Sequence, residues 1–257
     1  MGSGANDSME QRLLQAYRAL ITDESRIAER LAPRGLRIGA SIVEQWPTLS
    51  DYLSLYAGSL APGGVLVLAG GPDDATRATG VPFTGAARAR DVLGLSAPAK
   101  AGPASAAEAA FWSAVERASR RNGDAPLDSL FSTVHLAHAR PFDVPDDPGV
   151  RDASARHVMR LLSEVRPQVT VAVGAEALFV LARALGDNRL LDAASIDESQ
   201  WALHWPAGTR LAEYPFVDVA LAMPYRMRLV PVASLNGPQS AAAVSALASV
   251  FSYVWAA

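Results

Sequence analysis

Asp73 and Asp74 are the residues of this chain whose type and spacing best suit chemistry. They follow the apolar run Val65 to Leu68 and the turn Ala69-Gly70-Gly71-Pro72, the pattern of a buried parallel strand opening into a loop. Ligands of α/β sheets bind beyond the carboxyl ends of strands, where glycine lets them approach the backbone. A carboxylate placed there can take a proton from water as a general base. Asp in such a turn more often caps or solvates it, and both readings stand at this point. A second strand-like run, Leu130 to Ala137, breaks at His138-Ala139-Arg140-Pro141 and so puts His138, a donor and an acceptor, at another strand end. His135 lies inside that run and reads as a packed or edge histidine.

The elements that must position these groups alternate along the chain. From Met9 to Leu31, Leu13, Leu14, Tyr17, Leu20 and Ile21 recur at helical spacing, with Pro33-Arg34-Gly35 as the stop. A break near Thr22-Asp23 is the alternative to one continuous helix. Ser50 can cap a helix carrying Tyr52, Leu53, Leu55 and Tyr56. Ala106 to Arg121 presents Phe111, Trp112 and Val115 on one face and closes at Asn122-Gly123. Asp152 or Ser154 starts the next helix, Val169 to Val173 is a third strand, and a helix runs from Gly174 to Leu185. Asn188 to Pro215 lacks clear periodicity and holds Trp201, His204 and Trp205, as a lid or as a packed aromatic cluster. Val217 to Ala222 and Leu229 to Val232 are apolar runs, either of which can be the last strand, and Gln239 to Trp255 is a closing helix. This rhythm predicts an α/β protein, a three-layer α/β/α sandwich around a mostly parallel four-stranded sheet. Residues 1–9 read as a flexible N-terminal tip and 10–257 as a single domain.

The stretch from Val65 to Leu95 resembles the first motif of the uracil-DNA glycosylase superfamily, most closely its single-strand-selective monofunctional branch. That family has an apolar strand, a Gly-Met-Asn-Pro-Gly turn, then Thr-Gly-Val-Pro-Phe-Gly and an Arg-Asp segment. Here stand Thr79-Gly80-Val81-Pro82-Phe83-Thr84-Gly85 and Arg90-Asp91-Val92-Leu93-Gly94-Leu95. Upstream, Val43-Glu44-Gln45-Trp46-Pro47 extends the likeness. The resemblance implies a crevice that reads a flipped-out base, stacked on an aromatic ring and hydrogen-bonded along its edge. Phe83 matches the stacking Phe, and His138 falls where the family has its uracil-reading Asn. The family's catalytic Asn falls on Gly70 or Gly71, depending on register. Its last motif, His-Pro-Ser-Pro-x-Asn, has its best counterpart in Pro231-Val232-Ala233-Ser234-Leu235-Asn236-Gly237-Pro238, which puts Val232 or Ala233 at the His. A second register, Ala222-Met223-Pro224-Tyr225-Arg226, also lacks histidine.

With both hallmark positions changed, the expected function is a divergent DNA glycosylase acting on a damaged or modified base, with weak or no standard uracil activity. Asp73 or Asp74 would activate water, and Gly70, Gly71, Phe83, His138, Ser234 and Asn236 would hold the base. The alternative is a glycosylase-fold protein without that chemistry, a noncatalytic binding module or an enzyme repurposed for a small molecule. The partner is then DNA, single-stranded or with a flipped base, or else a small planar ligand or a protein. No metal and no cofactor is expected.

Composition narrows the classes further. The chain has 257 residues, half of them hydrophobic, a formal net charge of −3 and no cysteine. It can bury a sizeable core. It has no thiolate for a zinc site, a disulfide or an iron–sulfur cluster. The acidic balance disfavours indiscriminate nucleic-acid binding, although Arg117, Arg120 and Arg121 could still meet phosphates locally. No apolar run spans a bilayer, so the expectation is a cytoplasmic protein without a membrane partner.

Overall fold

Val65–Ala69 forms the strand β1, and all five residues are buried, which requires both faces of the sheet to be covered. In this computed structural model the described residues are 3–39, 41–45, 63–70, 106–124, 134–144, 147–206, 209–235 and 237–256. Helix α1 (Ser3–Leu31) and the short α2 (Ile42–Gln45) precede β1. After it come α3 (Ala106–Arg121), β2 (Val134–His138), α4 (Pro148–Val165), β3 (Val169–Val173) and α5 (Gly174–Leu185). The chain continues with α6 (Asn188–Ala194), α7 (Trp201–His204), β4 (Phe216–Val219), β5 (Tyr225–Val232) and α8 (Ser240–Ala256).

The strands lie in the order β2-β1-β3-β5-β4. β1 pairs in parallel with β2 and β3, and β3 with β5, while β4 joins β5 antiparallel. The described sheet thus has five strands rather than four, because both late apolar runs are strands and the first is an antiparallel edge. Pro231 fits within β5 for a local reason. Leu229 N–H points outward to Pro215 O, and Pro231 lies two residues on, past the end of the β4 pairing at Arg228, where no outward donor is needed.

Alternation along β1 divides the core. Leu66 and Leu68 pack with Leu20, Leu161 and Leu178 from α1, α4 and α5. Val65, Val67 and Ala69 pack on the other face with Phe111 of α3 and Leu247 and Phe251 of α8. Phe111 meets Phe251 edge-on at a ring separation of 5.7 Å, joining the two helices of that layer. Helices therefore cover both faces, an arrangement compatible with a three-layer sandwich.

Several boundaries differ from the sequence reading. α1 runs unbroken through Thr22, whose hydroxyl bonds back to Arg18 O, and it begins at Ser3 rather than at Met9. α4 begins at Pro148, not at Asp152 or Ser154. Asp147 is its N-cap, accepting from Gly149 N–H at 2.9 Å, so the cap lies five residues or more before either expected position. The aperiodic stretch after Leu185 is built of short helices, too brief for periodicity to register. The helix read after Ser50 lies outside the described residues, as do residues 130–133 of the second strand run. Among the described residues no helix is long and apolar enough to cross a membrane.

Candidate functional site at the strand ends

The order β2-β1-β3 makes β1 the point where successive connections leave in opposite directions, because β1 leads to β2 on one side and β3 to β5 on the other. A crevice forms at the carboxyl ends of β1 and β3 in such a sheet. Four segments meet along this edge: Gly70 after β1, His138 to Arg140 at the end of β2, Gly174 to Glu176 after β3, and Ser234 after β5.

His138 is buried, and its Nδ1 lies 3.1 Å from Gly70 O. A carbonyl only accepts, so Nδ1 carries the proton of that bond. Ala139 N–H donates to Ala69 O at 2.7 Å, which fixes the backbone of the two strand ends together. Behind His138, buried His157 donates to the His138 backbone carbonyl. Its pKa is lowered to about 3, first by burial and then by the charge of Arg160. His157 is thus a neutral prop. His135 is likewise buried inside β2, with a pKa lowered to about 4 by burial, in keeping with a packed histidine.

Among the described residues, three charged groups that the sequence reading did not single out lie at this edge: Glu176, Arg140 and Glu198. Glu176, in the first turn of α5, reaches toward Gly70, where a Cβ added to the glycine would lie 2.7 Å from Glu176 Oε2. Its other oxygen accepts from Arg140 Nε at 2.5 Å, and Arg140 also donates to Val144 O at 2.7 Å. The absence of a side chain at 70 is therefore what admits this carboxylate.

Further along the edge, Glu198 ties three groups together. It accepts from Ala175 N–H at 2.7 Å, Ser234 N–H at 2.6 Å and Ser234 Oγ at 2.8 Å. Gly174, at φ +84°, makes the sharp passage from β3 into α5, and a Cβ there would press within 3.0 Å of Ser234 Oγ. Glu198 comes from the aperiodic segment, so it pins that segment to the ends of β3 and β5.

Of the residues named from sequence, Gly70, His138 and Ser234 share the carboxyl edge, with Gly70 and His138 in direct contact. Asp73, Asp74, Gly71, Phe83 and Asn236 lie outside the described residues. The two registers of the last motif separate clearly. Pro231 to Ser234 ends on the carboxyl edge beside Gly174, whereas Ala222 to Arg226 forms the turn and start of β5 at the amino edge. Val232 is buried in the core and Ala233 half-buried. Arg117, Arg120 and Arg121 are exposed on α3, with Arg120 paired to Glu116, as on a solvated helix face. Trp201 is buried and its indole N–H bonds Ala193 O, so it belongs to a packed aromatic cluster.

Glu176 could have been suspected from its place two residues past the β3 turn. Arg140 lies in the break after β2 that was already marked. Glu198 carried no local signal. No protein-family model and no curated protein matches the chain.

Proposed function

We propose that the chain is a divergent DNA glycosylase-like hydrolase, acting on the N-glycosidic bond of a damaged or modified base and weak or inactive on ordinary uracil. The observation that carries the reading is the Glu176 carboxylate, held by Arg140 against the side-chain-free Gly70. Gly70 is one of the two positions where the resembling family has its water-holding Asn.

In the reaction, water attacks the anomeric carbon and loses a proton to a carboxylate, and the electron pair of the breaking bond departs with the base. Glu176 is the candidate for that carboxylate on α5, and Asp73 and Asp74 are further candidates on the chain after β1. His138, with its Nδ1–H engaged by Gly70 O, holds the ring beside the crevice to meet the base edge. The family's leaving-group His has no equivalent at Val232 or Ala233. Loss of one such donor costs about 2.7 to 4 kcal/mol of transition-state stabilisation, which argues for a base that leaves more readily than uracil.

The Arg140 ion pair also favours a second reading, a binding module on the same fold, because the carboxylate oxygen that accepts from Arg140 Nε is already engaged within the protein. Single-turnover assays on single-stranded and mismatched oligonucleotides, each with one modified base or uracil, separate the two. Release of a modified base, abolished in Glu176→Gln while binding persists, supports the hydrolase. Binding without release supports the module. Neither release nor binding would remove both readings, and fast uracil release would overturn the specificity assigned.

A further inference from the structure

Toward the amino edge of the sheet, away from the strand-end crevice, Val169 of β3, Arg228 of β5 and Phe216 of β4 stand side by side in register. Directly paired residues point to the same face of a sheet, and the Arg228 guanidinium accordingly lies over the Phe216 ring, 4.1 Å from its centroid. With the last turns of α8, through Ser249, Ser252 and Tyr253, this row lines a cleft of about 680 Å³ that opens to solvent. Its size is that of a small-molecule site. The two serine hydroxyls are engaged within the helix, Ser249 Oγ donating to Ser245 O at 3.0 Å and Ser252 Oγ to Ala248 O at 2.7 Å. Phe216 and Tyr253, by contrast, are 54% and 51% exposed, which leaves much of two aromatic rings uncovered in one place.

Among the described residues of the lining, Arg228 is the charge without a counter-charge. Its Nη1 donates to Ala212 O at 2.8 Å and to Tyr214 O, which anchors the single turn Leu211–Glu213 to β5. That tie accounts for Nη1 alone. Among the described residues neither Nε nor Nη2 has a partner, and neither is buried away from solvent. No described carboxylate lines the cleft, and its other two arginines are already paired outside it, Arg210 with Glu213 at 2.7 Å and Arg226 with Asp218 at 2.8 Å. One half-buried guanidinium is left, held by a ring and two carbonyls, with its Nε–Nη2 edge open. That edge is the fork that receives a carboxylate through two parallel hydrogen bonds. A single uncompensated charge matches a monoanion, and the exposed rings match an apolar body. We propose that this cleft is a binding site for an apolar monocarboxylate, with the carboxylate on Arg228 and the hydrocarbon part against Phe216 and Tyr253.

The site is independent of the proposed hydrolase, because none of Gly70, His138, Glu176, Glu198 and Ser234 lines the cleft. Phenylbutyrate is the probe, in calorimetric titrations of the full chain at low and moderate salt, with neutral phenylbutanol, inorganic phosphate and a short oligothymidylate as comparisons. Saturable binding of phenylbutyrate that weakens as salt rises, and none of phenylbutanol, is expected. Arg228→Lys keeps the charge and loses the fork, so it should weaken binding at least about tenfold, the scale of a lost hydrogen bond to a charged group. Tyr253→Ala, at an exposed position, should also weaken binding while leaving thermal unfolding unchanged, and it decides the matter if Arg228→Lys does not fold. Glu176→Gln should bind phenylbutyrate like the parent. The inference fails if phenylbutyrate does not bind saturably, if phenylbutanol binds as well, or if either cleft variant, folded, binds like the parent. Displacement of phenylbutyrate by phosphate or the oligonucleotide at lower concentration would overturn the ligand class, and loss of binding in Glu176→Gln would assign the probe to the crevice.

Discussion

Gly70 and Gly174 face the same edge of the sheet, yet they are required for different reasons. At Gly174 the backbone itself demands glycine, because φ is +84° and an added Cβ would press on Ser234 Oγ. Gly174→Ala should cost about 1 to 3 kcal/mol, the usual penalty for a side chain in such a conformation, measured by urea denaturation. At Gly70 the obstacle is the end of a flexible side chain, the Glu176 carboxylate. Gly70→Ala should therefore leave stability within about 1 kcal/mol while pushing Glu176 out of the crevice. Loss of any base release in this variant, at near-parental urea midpoint, is the expected result. A large stability loss would mean that the carboxylate cannot yield, and that Arg140 holds it more rigidly than one ion pair implies.

Helix α1 is fastened to α4 through charges, over a hydrophobic seam. Asp23, 4% exposed, receives Arg156 at 3.0 Å and Arg160 at 3.3 Å, both from α4. At the start of α4, Asp147 accepts from Gly149 N–H and is paired with Arg34 at 2.7 Å and with Arg30. The Gly149 bond, then the two arginines, holds the Asp147 carboxyl below the usual range against the opposing effect of burial. Asp23→Ala should destabilise the protein by about 1 to 2 kcal/mol, at the lower end for charge-assisted bonds because both arginines remain partly exposed. Guanidinium-free thermal melts at low and high salt test this. The difference between parent and variant should shrink as salt rises, and a difference indifferent to salt would assign the loss to packing instead.

Across the whole molecule, two buried neutral histidines make stability depend on pH. His135 and His157 have pKa values lowered to about 4 and about 3 in the folded state, against 6.5 ordinarily. Between those limits the unfolded chain binds more protons than the folded one, so stability rises with pH and falls on acidification through the ordinary histidine range. Each histidine costs ~1.4 kcal/mol per pH unit once below its unfolded pKa. Glu24 opposes this only lower down, because burial raises its carboxyl pKa and the folded state then gains protons first. Urea unfolding at pH 7, 6 and 5 should show a progressive loss, steepest below pH 6.5. A flat profile over that range would contradict the burial of both rings.

The alternation of apolar runs and turn residues was enough to reveal the α/β class, because strands buried on both faces leave an uninterrupted signature such as Val65 to Leu68. It also marked two strand-end positions, Gly70 and His138, that prove to touch. The number of strands was not legible. Phe216–Val219 reads like any short apolar run, and only pairing with β5 makes it an antiparallel edge. The start of α4 was missed because Asp147 and Pro148 look like a turn until the helix is seen to grow from them. The partners of Glu176, Arg140 and Glu198 were beyond local reasoning for a related cause. Each acts across the sheet on a residue at least 23 positions away, the nearest being Glu198 and Ala175. A hydrogen bond of that separation leaves no periodicity in the chain. It arises only when parallel pairing brings the ends of β1, β2, β3 and β5 to one edge, so the sequence determined which elements exist and the tertiary structure decided which side chains meet there.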